Sequence, residues 1–490
     1  MFYQRVNGFL QIGKVRYAGF YRVDPRILDC MEKHVDYLIA KIGNGEGQKS
    51  ILDTSAAWGG LNSSTILEPV IELYKLTGKQ KFLDFGKYVL DQGGCHGGNL
   101  LELAEADEIY PYQYPQVKAY EMMSYFEGAL AYYEVTGEER YLRIVEKFVR
   151  AVEASDITII GCAGCTHELF DHSGIMQTVQ VEDNAIMQET CVTVTWMRLL
   201  DRLLRLTGKE WYAAQIEKSA YNALYGSLNA FGLDQYSREE KQLYPGLAFD
   251  SYSPLVYQPR GIGIGGFKKF SSGGYYGCCA CIGAAGTALF PLIGVLSYDK
   301  GFVFNGYHGG VVQATTPAGN PVCFEITGEY EAEGEVQIKI GLDAPEAFAI
   351  KLRVPDWSND PALTLNGEAL EAVKGYNQLG NTWQDGDVIT LSLHPEVKRV
   401  TLGGKQAYVY GCIVLARDER KENADINAPF APAMNEGKLV LDQIEPAPGE
   451  MVRFVLESDE GQILLTDYAW CGKHWNEQNA RISVWLPTEK

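Results

Sequence analysis

Long hydrophobic runs are missing from this sequence: no stretch of about eighteen apolar residues occurs, so no segment is expected to cross a membrane as a helix. The N-terminus, MFYQRVNGFLQIGKVRYAGF, lacks an apolar stretch followed by a small-residue cleavage site. A cytoplasmic protein is therefore expected, unless a leader lies outside this chain. Positive charge is scarce as well. Lys and Arg total 43 against 63 Asp and Glu, a net charge of −20. Nucleic acid and anionic lipid both need a basic face, so neither is expected as a partner. The doubled Cys-x-x-Cys spacing of zinc ribbons is absent too, and the 11 cysteines are an odd number thinly spread over 490 residues, which makes no disulfide scaffold. What is there is ordinary for a globular protein: 46% apolar and 22% charged residues, in a chain long enough for several domains. A neutral substrate such as a sugar is compatible with that charge.

An internal repeat organises the first half. LYKLTGKQKFLDFGKYVL (73–90), YYEVTGEERYLRIVEKFV (132–149) and LLRLTGKEWYAAQIEKSA (203–220) share one grammar: an apolar helical stripe, Thr-Gly, a charged pair, an aromatic, and a second stripe. The glycine predicts a left-handed helix terminator, with Phe82, Tyr141 and Tyr212 turned inward on the returning helix. Such αα-hairpins in succession predict an α/α toroid. Helical patterning covers about 25–43, 62–92, 118–153, 185–229 and 278–298, and 230–277 reads as a long Gly-, Pro-, Ser- and Tyr-rich loop. Few helices precede residue 118, which leaves room for an absent N-terminal part of the ring. From about 300 the pattern becomes short alternating or β-branched runs between Gly, Asn, Asp and Pro turns, predicting β-sandwich material. The expected architecture is multidomain, with an α/α toroid over 1–298 and a β-sandwich region over 299–490, read as one or two small units.

Two segments concentrate reactive side chains. QETCVTVTWMRLL (188–200) places Glu189 and Cys191 at the start of a helix, where a regular helix would point them about 200° apart. Sharing one ion requires Glu189 to sit in the frayed first turn. GGYYGCCACIGAAG (273–286) puts Cys278 and Cys279 where a Gly-rich loop enters a helix, a position that favours thiolates. One carboxylate and three thiols make a four-ligand zinc set, whereas the plain alternative is buried cysteines acting as small hydrophobes.

ETC at the head of a helix, the Cys-Cys pair about ninety residues later, the Thr-Gly hairpins, and the late segments GYNQLGNTWQDGDVITLSL (375–393) and YVYGCIVLARD (408–418) together resemble the β-L-arabinofuranosidase family of glycoside hydrolases. That resemblance implies a Zn2+ held by Glu189, Cys191, Cys278 and Cys279, with Cys278 as the glycosyl nucleophile. It also implies a glutamate acid/base upstream of ETC. Glu168 in GCAGCTHELFDH (161–172) is the first candidate and Glu182 in QVEDN the second, each weighed against a solvated loop carboxylate. The family's Pro and Asn after the Cys pair are Ala280 and Ile282 here, an extra thiol is present at Cys281, and a family histidine on the central helix is Lys118. Those departures bear on the identity of the sugar. Candidate sugar contacts are His167, His96, Tyr252, Lys118 and Trp58, each with core packing or an ordinary hydrogen-bonded role as its alternative. Cys162 and Cys165 are expected to be structural thiols.

The expected activity is retaining hydrolysis of an L-arabinofuranoside or a related pentoside or hexoside. A thiolate attacks while Glu168 donates and then recovers a proton. A homodimer is compatible with this reading. Two other readings stand beside it: a non-catalytic carbohydrate-binding homologue with a structural zinc, and another α/α-toroid glycosidase or lyase using paired carboxylates, such as Asp53 or Glu121 with Glu168.

Overall fold

The computed structural model describes residues 3–18, 24–166, 168–179, 188–228, 254–260, 268–269, 275–276, 278–422, 425–473 and 481–489. The expectations for His167, Glu182, Tyr252 and most of the 230–277 loop fall outside the described residues.

The helices are where the repeat predicts them. We label the longer ones α1 (Pro25–Lys41), α2 (Leu67–Thr77), α3 (Gln80–Asp91), α4 (Ala119–Thr136), α5 (Glu139–Ser155), α6 (Thr190–Thr207), α7 (Glu210–Ser219) and α8 (Cys278–Gly294). Each Thr-Gly break ends a helix in the left-handed region: Gly78, Gly137 and Gly208 have φ of 67°, 72° and 69°. A residue without Cβ takes that conformation at no steric cost, so the chain reverses and a second helix packs back on the first. Phe82, Tyr141 and Tyr212 are all buried on the returning helices. The first helices of the hairpins, α2, α4 and α6, lie side by side, followed by α8 against α6. Helices α4 and α6 are buried along most of their length; α4 is apolar nearly all round, whereas α6 buries Asp201 and Arg202 among its apolar residues.

Among the described residues three large sheets follow, beside three two-stranded ones, and they are not confined to the second half. A five-stranded sheet runs in the order Gln4–Arg5, Val295–Tyr298, Gly301–Phe304, Glu346–Val354 and Gly375–Trp383. An eight-stranded sheet is built mainly from residues 310–392, with Phe9–Ile12 and Val15–Tyr17 at one edge. The N-terminal strands, expected inside the helical region, thus pair with the middle sheets instead. Gln4 and Arg5 lie opposite Ser297 and Leu296, and Leu10 opposite Val312. Alternation over only three or four residues was too short to read against the helical context. Likewise the helix expected over 278–298 ends at Gly294, and the β-prone Val295–Tyr298 is a strand. Phe302 and Phe304 of the first sheet meet Phe324 of the second at ring distances of 5.0 and 5.3 Å, so the two sheets share an aromatic core. Glu335–Leu342 alternates exposed and buried along most of its length, as a strand with one wet face must. A third sheet takes residues 397–487 together with Gln258–Pro259.

Named contacts tie the helical half to the sheets. The Asn222 side chain accepts from the Val414 amide at 2.8 Å and donates to the Cys412 carbonyl at 2.9 Å. Trp485 Nε1 donates to Gln177 Oε1, and buried Arg353 pairs with Glu217 at 2.6 Å. Among the described residues no helix is long and apolar enough to cross a membrane.

Candidate active site

The N-termini of α6 and α8 converge, and they bring the two reactive segments together. Glu189 is the N-cap of α6 with an extended backbone (φ −61°, ψ 134°), whereas Cys191 is already helical. The 200° separation of a regular helix therefore does not apply. Both side chains turn to the same side because one of them precedes the helix. Gln188 makes this possible by adopting a left-handed φ of 60°. It is pinned there: its amide donates to the Gly164 carbonyl at 2.8 Å and its Oε1 accepts from Thr158 Oγ1 at 2.6 Å. No sequence signal marked Gln188, since its part is to hold the backbone and not to do chemistry.

Four donor atoms, from Glu189, Cys191, Cys278 and Cys279, lie within 4.8 Å of one another. Cys191 Sγ is 3.3 Å from Cys279 Sγ, Cys279 Sγ is 4.0 Å from Cys278 Sγ, and Glu189 Oε1 is 3.5 Å from Cys279 Sγ. A tetrahedral zinc with sulfur ligands at about 2.3 Å sets sulfur–sulfur edges of about 3.8 Å, and the observed spacings bracket that value. Glu189, Cys191 and Cys279 are buried, while Cys278 is exposed. Glu189 Oε2 is buried without a hydrogen-bond partner among the described residues, which is costly for a carboxylate unless a cation satisfies it.

The electrostatics lead to the same place. Burial pushes the Glu189 carboxyl up to about 7, partly opposed by the Lys118 charge and by the thiols of Cys279 and Cys191. The Cys191 thiol is pushed far up by hydrogen bonding with Cys278 and Cys279 and by burial. For Cys279 the contact with Cys191 lowers the value, but the Cys278 contact and burial outweigh it, so this thiol too is raised. Three sulfurs and a carboxylate this close repel one another as anions, and a divalent cation is the species that reverses the balance. The donor set fits a soft divalent metal.

Behind the cluster, Cys162 and Cys165 are buried, and Cys162 Sγ donates to the Ala163 carbonyl at 3.2 Å and contacts the Glu189 carbonyl at 3.5 Å. They back the Gln188–Glu189 turn, as expected of structural thiols. Cys281, one turn along α8, is exposed.

Glu168 is held against the start of α4 through a backbone bridge. Lys118 and Leu169 pair as an isolated antiparallel bridge, the Ala119 amide donates to the Glu168 carbonyl at 2.9 Å, and the Phe170 amide donates to the Val117 carbonyl at 2.8 Å. Lys118 Nζ makes an ion pair with Glu168 and lies 3.5 Å from Glu121 Oε2. Glu121 Oε1 in turn accepts from Asn62 Nδ2 at 2.9 Å. The loop carrying Glu168 is tied down by two aspartates. Buried Asp156 accepts from the amides of Asp171, His172 and Ser173, and Asp171 accepts from those of Cys165 and Thr166. Neither aspartate was singled out in the sequence, because a short Asp beside a loop reads as a turn residue.

Trp58 and His96 sit on neighbouring loops. Trp58 is 37% exposed with a left-handed φ of 52°, and the His96 amide donates to the Gly59 carbonyl at 2.7 Å. Its ring Nε2 is 2.9 Å from Asp53 Oδ1, so Asp53 is engaged with His96 and not with Glu168. A Cβ on Gly59 would lie 3.0 Å from Gln116 Nε2, so the Trp58 turn packs against the segment that leads to Lys118.

Comparison with known proteins adds the following. A family model described as the β-L-arabinofuranosidase GH127 catalytic domain matches residues 21–235, and the GH127 middle-domain model matches 305–394. A non-reducing end β-L-arabinofuranosidase of Bifidobacterium longum subsp. longum is 20% identical over 379 residues, 70% of this chain and 53% of its own length. The chain thus spans about half the length of that relative. Its fold is similar to the crystal structure of a GH127 β-L-arabinofuranosidase from Geobacillus stearothermophilus T6 (21% identity, 95% of this chain and 77% of that one, TM-score 0.70). A second solved GH127 β-arabinofuranosidase gives 19% identity, 95% and 74% coverage, and a TM-score of 0.72. At these identities the structural likeness speaks to the fold.

Proposed function

The chain belongs to the GH127 family of glycoside hydrolases, and from that membership we propose that it is a retaining glycosidase acting on L-arabinofuranosides or closely related sugars, with Cys278 as nucleophile and Glu168 as acid/base. The observation that carries this reading is the convergence of Glu189, Cys191, Cys278 and Cys279 within 4.8 Å, with Cys278 the member exposed to solvent. Zinc is the proposed ion, held by those four residues, and its charge would keep the sulfurs ionised at neutral pH. In the same reading the helical half is an α/α toroid over roughly 24–294, and the sheets form two β-sandwich units.

The residues then divide the work. Cys278 attacks the anomeric carbon, the glycosidic C–O bond breaks, and the departing oxygen takes a proton from Glu168. Water next attacks the same carbon, the C–S bond breaks with its electron pair returning to sulfur, and Glu168 accepts the water proton. In this reading Trp58 and His96 contact the sugar face and its hydroxyls.

The test combines metal analysis with turnover. Purified protein is expected to carry about one zinc per chain and to cleave a nitrophenyl arabinofuranoside. Cys278→Ser is expected to lose turnover by at least about a thousandfold while retaining part of the metal. Full activity in that variant removes the nucleophile assignment.

A further inference from the structure

The surroundings of Lys118 give it a specific task. Its side chain is buried at the first turn of α4, yet it carries a charge among carboxylates. Glu168 is ion-paired to it, Glu121 Oε2 is 3.5 Å away, and its charge acts on the Glu189 carboxyl. A buried ammonium needs such partners, and removing any of them leaves it exposed to the full desolvation cost. The pair is also fixed from outside the side chains. Backbone hydrogen bonds on both sides of the Lys118–Leu169 bridge hold the two segments in register, so Glu168 meets the ammonium without help from flexible loops. Glu121 is itself held by Asn62, which anchors the other flank.

An adjacent ammonium favours the ionised carboxylate. For a residue that must act once as acid and once as base, this bias is not neutral. It keeps Glu168 in the ionised form that can accept a proton from water, at the cost of some basicity, and leaves less of the protonated form in the resting site. Resting on the glycosidase reading, we infer that Lys118 is a positioning residue that aims Glu168 and holds it as the base for the hydrolytic half-reaction. In that step water oxygen bonds to the anomeric carbon, the bond to Cys278 Sγ breaks and returns its electron pair to sulfur, and the water proton passes to Glu168. Lys118 touches neither water nor sugar in this scheme.

Activated aryl substrates separate the two halves, because a nitrophenolate leaves without an acid. With 4-nitrophenyl L-arabinofuranoside, Lys118→Met is expected to lower kcat by at least about tenfold and to lower KM with it. The ratio kcat/KM should stay within about threefold of wild type, with a pre-steady-state burst of nitrophenolate. Sodium azide, a nucleophile that needs no base, should restore most of the lost kcat and yield the glycosyl azide. Lys118→Arg should recover most of the rate by keeping the charge. Zinc content and melting temperature, measured on the same preparations, separate this from collapse of the metal site. Equal falls in kcat and kcat/KM without a burst, azide without effect, or wild-type kinetics in Lys118→Met would each overturn the inference while leaving the glycosidase reading in place. A wild-type protein inert on every arabinofuranoside tested overturns both.

Discussion

Glu189 and Cys191 show how much one backbone angle decides. Had Gln188 not entered the left-handed region, Glu189 would fall inside the helix and point away from the sulfurs. Glu189→Gln removes the anionic ligand and should lower zinc stoichiometry well below one per chain, read by metal analysis after dialysis. Cys162→Ala should leave zinc content unchanged and cost on the order of 1–2 kcal/mol in denaturant unfolding, since it loses only a buried thiol and its backbone contacts. If zinc falls with Cys162 instead, that cysteine belongs to the metal site. His308 gives a pH signature. Burial holds its imidazole down at about 4, and Nε2 has no hydrogen-bond partner among the described residues. The folded state therefore stays neutral where the unfolded chain already takes a proton. Stability from this group is present above about 6.5 and is lost as pH falls toward 4. His308→Gln should flatten that part of the stability–pH curve measured by urea titration.

The Thr-Gly hairpin is the working unit at the next scale up. Gly137 ends α4 at a φ of 72°, with nothing within 4 Å of where a Cβ would stand. Gly137→Ala should therefore cost only the left-handed backbone penalty, about 1 kcal/mol, and leave activity untouched. Gly60 is a different case. Its φ is 88° and a Cβ would approach the Leu52 carbonyl oxygen to 2.4 Å, so Gly60→Ala adds a steric clash to the backbone strain. A larger fall in melting temperature for Gly60→Ala than for Gly137→Ala is the expected result. Because Trp58 shares that turn, KM should rise as well. The hairpins also explain why the site lies where it does. The repeat sets the first helix of each hairpin beside its predecessor, and α8, outside the repeat, extends that row against α6.

Across the whole molecule, the helical half and the sheets are joined by buried charge. Arg353, fully buried on the strand Glu346–Val354, pairs with Glu217 of α7 and lies 3.4 Å from Glu210. Tyr330 Oη and Trp357 Nε1 donate to the same Glu217. Arg353→Met strands a buried carboxylate and should cost about 3–5 kcal/mol, whereas adding Glu217→Gln to it should recover part of the loss. Thermal unfolding of the single and double variants checks this. The strands Gln4–Arg5 and Phe9–Ile12 add a second tie, since the chain starts in the sheets, passes through the helices and returns.

Read alone, the sequence determined the helical hairpins, their glycine stops, the inward aromatics and the residues of the thiol cluster, because these depend on periodicity within about twenty residues and on side-chain chemistry. Tertiary structure decided what those residues do together. That Glu189 caps a helix, that Lys118 meets Glu168 across a two-segment bridge, and that residues 4–17 join sheets some three hundred positions away are all consequences of contacts between distant segments. Local propensity carries no record of such contacts. Only when the packed chain fixes which backbone groups are left over does each of those pairings become the one that satisfies them.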